Sequence, residues 1–262
     1  MNRANWKPWI SSYNWPAWTC PTCHSGTLQL DRKSVVERET AKSRRDRNSE
    51  DWDPAGIFNN FTAWLKCSKA TCGEVALVAG SSGVDPTEGA EGELELEEVY
   101  SPRFVMPMPD IIAIPAKCPE AVAAELRSAF RLFWLDTGAA ANRLRVALEA
   151  LLDVPGIRRR QRVPGKIKDL SLHQRIIEYE KREPVVAAHL MAVKWLGNTA
   201  SHESGVSQDA LLDALEIVEH VLDEIIDQRS KRVSELAKKL TDAHAPKRAK
   251  KDTSTRKRSS AS

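Results

Sequence analysis

Two cysteine pairs constrain this chain more than any other feature of it. Cys20-Pro21-Thr22-Cys23 and Cys67-Ser68-Lys69-Ala70-Thr71-Cys72 have the spacings Cys-x2-Cys and Cys-x4-Cys. Each spacing lets two thiolates converge on one metal ion from a tight turn. Four such ligands complete the tetrahedron that zinc prefers, with sulfurs at about 2.3 Å. Gly26 and Gly73 follow the pairs, where left-handed backbone is commonly needed. Both turns lead into β-prone sequence, so the expected unit is a zinc ribbon. Four protein ligands leave no open coordination position, so the zinc is expected to be structural. A redox Cys-x-x-Cys would need no second pair, and no βαβ pattern surrounds this one. A disulfide staple belongs to an oxidising compartment. His24 is a spare ligand beside four thiolates that already satisfy the site, and Cys118 reads as an ordinary buried or boundary cysteine.

A chain of 262 residues corresponds to one large or two modest domains. Its 42% hydrophobic and 29% charged residues suffice for a real core, which excludes wholesale disorder. The longest nearly uncharged apolar stretch, Val185–Val193, is nine residues and contains His189, far short of the roughly 20 that span a bilayer. The opening residues Met1–Trp6 lack an apolar signal core, so the expected setting is the cytoplasm and no membrane partner is expected. The net charge of +3 is unevenly placed. From His244 onward there are seven basic residues, Lys247, Arg248, Lys250 and Lys251 among them, and one acidic residue, Asp252. The body is therefore mildly acidic and the basicity is a tail, of the kind that is solvated and disordered and often touches nucleic acid.

Three zones and the tail follow from the patterning. Residues 1–100 hold four of the five cysteines, six of the eight tryptophans and the β-type runs Thr27–Val36, Ile57–Lys66 and Glu74–Ala79. The charged stretch Glu37–Asp53 reads as a long exposed loop, and Asp85–Glu98 as a short edge strand or a solvated acidic loop. Four prolines make 101–116 an extended connector. Helical periodicity then occupies 117–241, and 242–262 is the basic tail. The helices are expected at about Pro119–Leu135, Asp136–Leu152, Leu170–Arg182, Pro184–Leu196 and from a cap at Ser207 through the stripe Leu211, Leu215, Val218, Leu222 and Ile225. Short connections between amphipathic helices imply an antiparallel bundle.

Three further groups of residues carry chemistry. Lys194, Asn198 and His202 recur every four residues on an otherwise apolar helix, and Arg145 and Glu149 form another i, i+4 pair. A histidine exchanges protons near neutral pH and a cation can hold a phosphate. The same row also reads as buried polar groups satisfying Glu149 and helix-end carbonyls. His189 reads as a core histidine, and His173 and His220 as residues of helix surfaces. Between the second and third helices lies a basic loop with Arg158, Arg159, Arg160, Arg162, Lys166 and Lys168. Trp6, Trp9, Trp15 and Trp18 precede the first cysteine pair; they suit base stacking, and they suit plugging of a core, the use most large aromatics serve.

The order Trp18-x-Cys-Pro-x-Cys, Cys-x4-Cys-Gly, Tyr100-Ser-Pro, Ile114-Pro115, Arg145-Val-Ala-Leu-Glu149 and Leu196-Gly-Asn-Thr-Ala-Ser-His202 resembles a bacterial family, domain of unknown function four-one-four-five, over roughly residues 15–226. The resemblance implies a helical domain related to the HEPN superfamily. Many HEPN proteins are metal-independent endoribonucleases that act as dimers through an Arg-Asn-x3-His signature. Asn198-x3-His202 fits that signature, but Gly197 stands where the arginine would be; Lys194 or Arg145 would have to supply the charge, and lysine is a point charge rather than a bidentate fork.

The expected fold is α+β, mainly α: an N-terminal zinc ribbon with short antiparallel strands, then an antiparallel HEPN-like bundle. The leading functional expectation is a zinc-binding, nucleic-acid-associated protein, RNA-directed, of bacterial defence or stress, with the basic loop and tail on phosphates. One alternative is an endoribonuclease with His202 as acid or base, Asn198 orienting it, Lys194 or Arg145 on the phosphate, and Glu149 beside them. Another is a protein–protein adaptor that docks through the ribbon. A homodimer is expected from the resemblance alone.

Overall fold

The computed structural model describes residues 1–50, 52–88, 94–199 and 205–244. Its N-terminal region is an antiparallel sheet with strands β1 (Ile10–Ser11), β2 (Trp18–Thr19), β3 (Thr27–Leu30), β4 (Val36–Glu39), β5 (Phe58–Cys67), β6 (Val75–Glu88) and β7 (Leu94–Met106). The strand order is β1-β7-β6-β5-β3-β2, and β4 pairs with β5 beyond the end of β3. Period-2 alternation makes one face apolar. Along β5, Phe61, Ala63 and Leu65 are buried, while Asn60, Thr62 and Trp64 between them face outward.

The sheet is larger than its sequence suggests. The single strand expected over Thr27–Val36 is split by a 3-10 turn at Arg32–Ser34, capped by the Asp31 side chain. The charged stretch read as a loop forms β4 and a short helix, α1 (Ala41–Asp46), whose N-cap is Thr40. The acidic stretch forms the two arms of the β6–β7 hairpin as far as Glu88 and from Leu94. The first residues of the expected connector continue β7 to Met106. Pro102 is accommodated because it faces Gly80 at a register shift, and a bulge tolerates the missing donor.

The helical part comprises α2 (Glu120–Leu132), α3 (Thr137–Leu151), α4 (Leu172–Glu180), α5 (Pro184–Thr199) and α6 (Gln208–Ile225). Their starts follow capping chemistry: Asp136 accepts from the Ala139 N–H, Ser207 from that of Ala210, and Ser171 forms a capping box with Gln174. Helix α5, apolar almost all round, packs against α3, α4 and α6. Between α3 and α4 the expected basic loop is a hairpin of β8 (Arg160–Val163) and β9 (Lys166–Asp169). Sheet and helices share one core, so residues Met1–Asp227 are one compact unit of α+β class. Residues from Gln228 on form a second unit, whose helix α7 (Arg229–His244) has no buried residue.

Tryptophans tie the sheet to the helices. Trp6 stacks on Trp18 with ring centroids 5.7 Å apart, and both meet Trp134, which follows α2, at 5.6 and 5.5 Å. Phe133 meets Trp6 edge-on at 5.9 Å. The Trp18 indole donates to the Asn5 carbonyl at 2.8 Å, satisfying its one polar atom. Trp6 and Trp18 are core residues, whereas Trp9 is exposed.

Candidate metal centre and basic surfaces

The sheet register brings the two cysteine turns together. Cys20 and Cys23 lie in the turn from β2 to β3; Cys67 is the last residue of β5 and Cys72 lies in the turn from β5 to β6. β3 pairs antiparallel with β5 so that Leu28 faces Cys67, which sets both turns at the same end of the sheet. The Ser68 N–H donates to the Thr27 carbonyl at 2.8 Å and fastens one turn to the other. Each turn closes locally: the His24 N–H donates to the Cys20 carbonyl at 3.0 Å, and the Gly73 N–H to the Lys69 carbonyl at 3.3 Å. His24 and Gly73 take left-handed backbone, with φ of 48° and 65°.

The four sulfurs lie within 4.8 Å of one another. The Cys20–Cys72 and Cys23–Cys67 separations are 3.8 and 3.7 Å. A tetrahedron of sulfurs about 2.3 Å from a central ion has edges of about 3.8 Å, so the spacing fits a zinc-sized cation. A disulfide would need sulfurs about 2.05 Å apart, and all the cysteines are free. Backbone donors point at two of the sulfurs: Gly26 N–H to Cys23 Sγ at 3.3 Å and Lys69 N–H to Cys67 Sγ at 3.4 Å. The N–H groups of Ser25 and Gly26 pull the Cys23 thiol down to about 5. At Cys67 the Lys69 N–H also pulls downward, but burial and the neighbouring sulfurs outweigh it and push the thiol up to about 12. Like charges this close oppose joint ionisation unless a cation lies among them. The described residues could therefore hold a metal ion at Cys20, Cys23, Cys67 and Cys72. His24 is not part of the group. Cys118 lies apart, lining a cavity of about 710 Å³ with Asp110 and Arg127, where burial pushes its thiol up.

Arg145 of α3 lies where that helix crosses α5. A β-carbon at Gly197 would lie 3.1 Å from the Ala141 carbonyl oxygen and 3.1 Å from Arg145 Cβ. The small residue thus lets Arg145 pack directly against α5 at position 197. Arg145 donates to Glu149 at 2.8 Å and to Asn142 at 3.2 Å. Lys194, one turn before Asn198, is buried, and its Nζ lies 3.3 Å from the centroid of the exposed Trp195 ring. Among the described residues no carboxylate forms an ion pair with Lys194. His202 lies outside the described residues.

The β8–β9 hairpin presents a row of cations. Its turn is Pro164-Gly165, with Gly165 at φ 80°, the left-handed position a Pro-Gly turn requires. All its residues are exposed except Val163, which is half-buried. Arg160 pairs with Asp169 at 2.9 Å, and Arg159 with Asp153 at 3.0 Å. Arg158, Arg162, Lys166 and Lys168 form no ion pair among the described residues. Lys247, Arg248, Lys250 and Lys251 lie outside the described residues.

Sequence patterning did not single out two features here. Arg175 of α4 is almost fully buried and donates to the Glu149 carbonyl at 2.6 Å, Asp153 at 2.7 Å and the Ile157 carbonyl at 3.0 Å. It anchors the segment that leads into the hairpin. Between the hairpin and α4 lies a cleft of about 580 Å³ lined by Arg158, Arg160, His173 and Lys181. Nothing in the periodicity marks either feature, because both depend on how α4 docks.

Two families match parts of the chain. Residues 127–243 are similar to the family described as Domain of unknown function (DUF4145), and residues 9–108 to Domain of unknown function (DUF8608). No curated protein and no solved structure matches the chain. No helix of the described residues is long and apolar enough to cross a membrane.

Proposed function

We propose that this chain, with one family of unknown function over its sheet and another over its helices, is a nucleic-acid-associated protein with a structural zinc. Cys20, Cys23, Cys67 and Cys72 would hold the ion in a zinc ribbon, clamping two turns at one end of the sheet and taking no part in chemistry. The helical part would be a HEPN-like bundle that presents the β8–β9 hairpin to phosphates, with RNA as the favoured partner. One observation carries this reading: Arg162, Lys166 and Lys168 stand exposed on the β8–β9 hairpin, and Arg158 just before it, while the carboxylates of Asp153 and Asp169 are taken by Arg159, Arg175 and Arg160. Unneutralised cations on a protruding element are what a phosphate backbone recognises, and they make binding steeply salt-dependent. The test is fluorescence anisotropy of a labelled mixed-sequence RNA with the full chain over a salt series. Replacing Arg162, Lys166 and Lys168 by alanine should weaken binding and flatten the salt slope by roughly two to three. Wild-type binding that is indifferent both to salt and to these substitutions would overturn the reading.

A second reading, a metal-independent endoribonuclease, is favoured by the packing of Arg145 against Gly197. That contact sets Arg145 against position 197, where the family signature carries its arginine. His202 would move the proton of the attacking 2′-hydroxyl or of the leaving 5′-oxygen, and Arg145 or Lys194 would hold the phosphate. Incubation of the chain with labelled RNA in EDTA tests this. Cleavage that disappears in His202→Ala supports it, and intact RNA with folded protein sinks it.

A further inference from the structure

Trp195 is 54% exposed, although it stands on the most apolar helix of the chain. Its ring lies 6.3 Å from the His173 imidazole, with the planes inclined at 57°. His173 in turn lines the cleft between α4 and the hairpin, together with Arg158, Arg160, Gln161, Gln174 and Lys181. A flat aromatic surface and a basic cleft therefore meet at one histidine. Among the described residues Glu178 is the one carboxylate lining that cleft, and Arg160 is already occupied by Asp169. Lys194 Nζ occupies one face of the indole, 3.3 Å from the ring centroid, in a cation–π contact.

We propose that this junction is a nucleotide subsite for single-stranded nucleic acid, which rests on the nucleic-acid reading above and gives it a strand preference. One base would pack on the Trp195 indole. The adjoining phosphate would enter the cleft, where Arg158 and Lys181 supply charge and the glutamines supply hydrogen bonds. A base in a duplex has both faces already stacked, so an aromatic platform selects unpaired strands. The cleft alone would bind any phosphate backbone, and the two halves together specify the ligand class.

Anisotropy of a fluorescein-labelled 12-nucleotide single-stranded RNA and of the matching duplex, measured with the full chain, tests the proposal. Trp195→Ala should weaken single-strand binding by roughly five- to a hundredfold while leaving duplex binding unchanged, and Trp195→Phe should retain most of the affinity. Lys181→Glu should weaken both ligands and reduce the salt slope. Because Trp195 and Lys181 are exposed, a thermal melt within a few degrees of wild type separates lost binding from lost folding. Single-strand binding that survives Trp195→Ala and Lys181→Glu, yet falls when the hairpin lysines are removed, overturns the subsite and leaves the broader reading standing. Equal loss of duplex and single-strand binding in Trp195→Ala also overturns the subsite. A wild-type chain that binds neither ligand overturns both.

Discussion

Gly26 lies so close to Cys67 that a β-carbon on it would fall 2.6 Å from the sulfur, nearer than any side chain tolerates. Its own N–H donates to the Cys23 sulfur. One glycine therefore serves both turns of the candidate metal centre: it gives room to one ligand and a hydrogen bond to another. Gly26→Ala should displace Cys67 and break the tetrahedral spacing. The expected outcome is a metal content well below that of wild type after purification in zinc, read by inductively coupled plasma mass spectrometry. Full occupancy in this variant would mean that the turn can shift without disturbing the ligands.

Metal removal should act through the same four sulfurs. A chelator is expected to lower the melting temperature of the wild-type chain, because the two turns lose the ion that joins them. Cys72→Ser should start at the lower temperature and respond little to the chelator. A Cys72→Ser protein that melts like wild type and keeps its zinc would remove these cysteines as the ligand set.

The cysteine cluster was legible because the spacing of candidate ligands is a local property that needs no tertiary information. The hairpin was not. Its turn signal, Pro164-Gly165, stands plainly in the sequence, but the flanking Arg160, Arg162, Lys166 and Lys168 are poor strand formers and have no apolar alternation to mark them. Strand β7 was hidden by the opposite cause: Pro102 signals a break, and only the bulge opposite Gly80 lets the strand pass through it. The polar row Lys194–Asn198 was visible in its spacing. That Arg145 packs against α5 depends on the α3–α5 crossing at Gly197, which no pattern within either helix encodes.

Trp18 is 1% exposed and joins Trp6, Trp15 and Trp134. Truncation removes an indole from a packed cluster and leaves a cavity, so Trp18→Ala is expected to cost about 3–5 kcal/mol. For a unit of this size that corresponds to a drop in melting temperature of roughly 10 °C, with loss of near-ultraviolet circular dichroism. A drop of only a degree or two would show that the arm from Met1 to Trp18 is dispensable to the shared core.

Gly197 poses a balance between two small effects. Alanine gains up to about 1 kcal/mol of helix propensity in α5, but its β-carbon meets Ala141 and Arg145 at 3.1 Å. The terms nearly offset, so Gly197→Ala should change the melting temperature little. Gly197→Val adds bulk at the same crossing and should lower it clearly. If valine is tolerated as well as alanine, α3 and α5 are not in the close contact that packs Arg145 against Gly197.

Arg175 and Asp153 make the stability of the hairpin anchor depend on pH. The hydrogen bond from Arg159 is the largest cause holding the Asp153 carboxyl below its ordinary range, and the Arg175 guanidinium adds to it. A depressed carboxylate stabilises the fold fully above its unfolded value, near 3.9, and that contribution is lost as pH falls through the lower folded value. Between pH 7 and 5 the anchor should therefore be constant, and below pH 4 the segment before β8 should loosen. Asp153→Asn abolishes the titration. It also leaves Arg175, 2% exposed, without its carboxylate, so the variant should be less stable than wild type at pH 7 and show a shallower loss toward pH 3. Hydrogen exchange of the Ile157 and Leu170 amides, which bond to the Leu152 and Arg159 carbonyls, reads this locally. Equal acid sensitivity of those amides in wild type and Asp153→Asn would show that the pair does not govern the anchor.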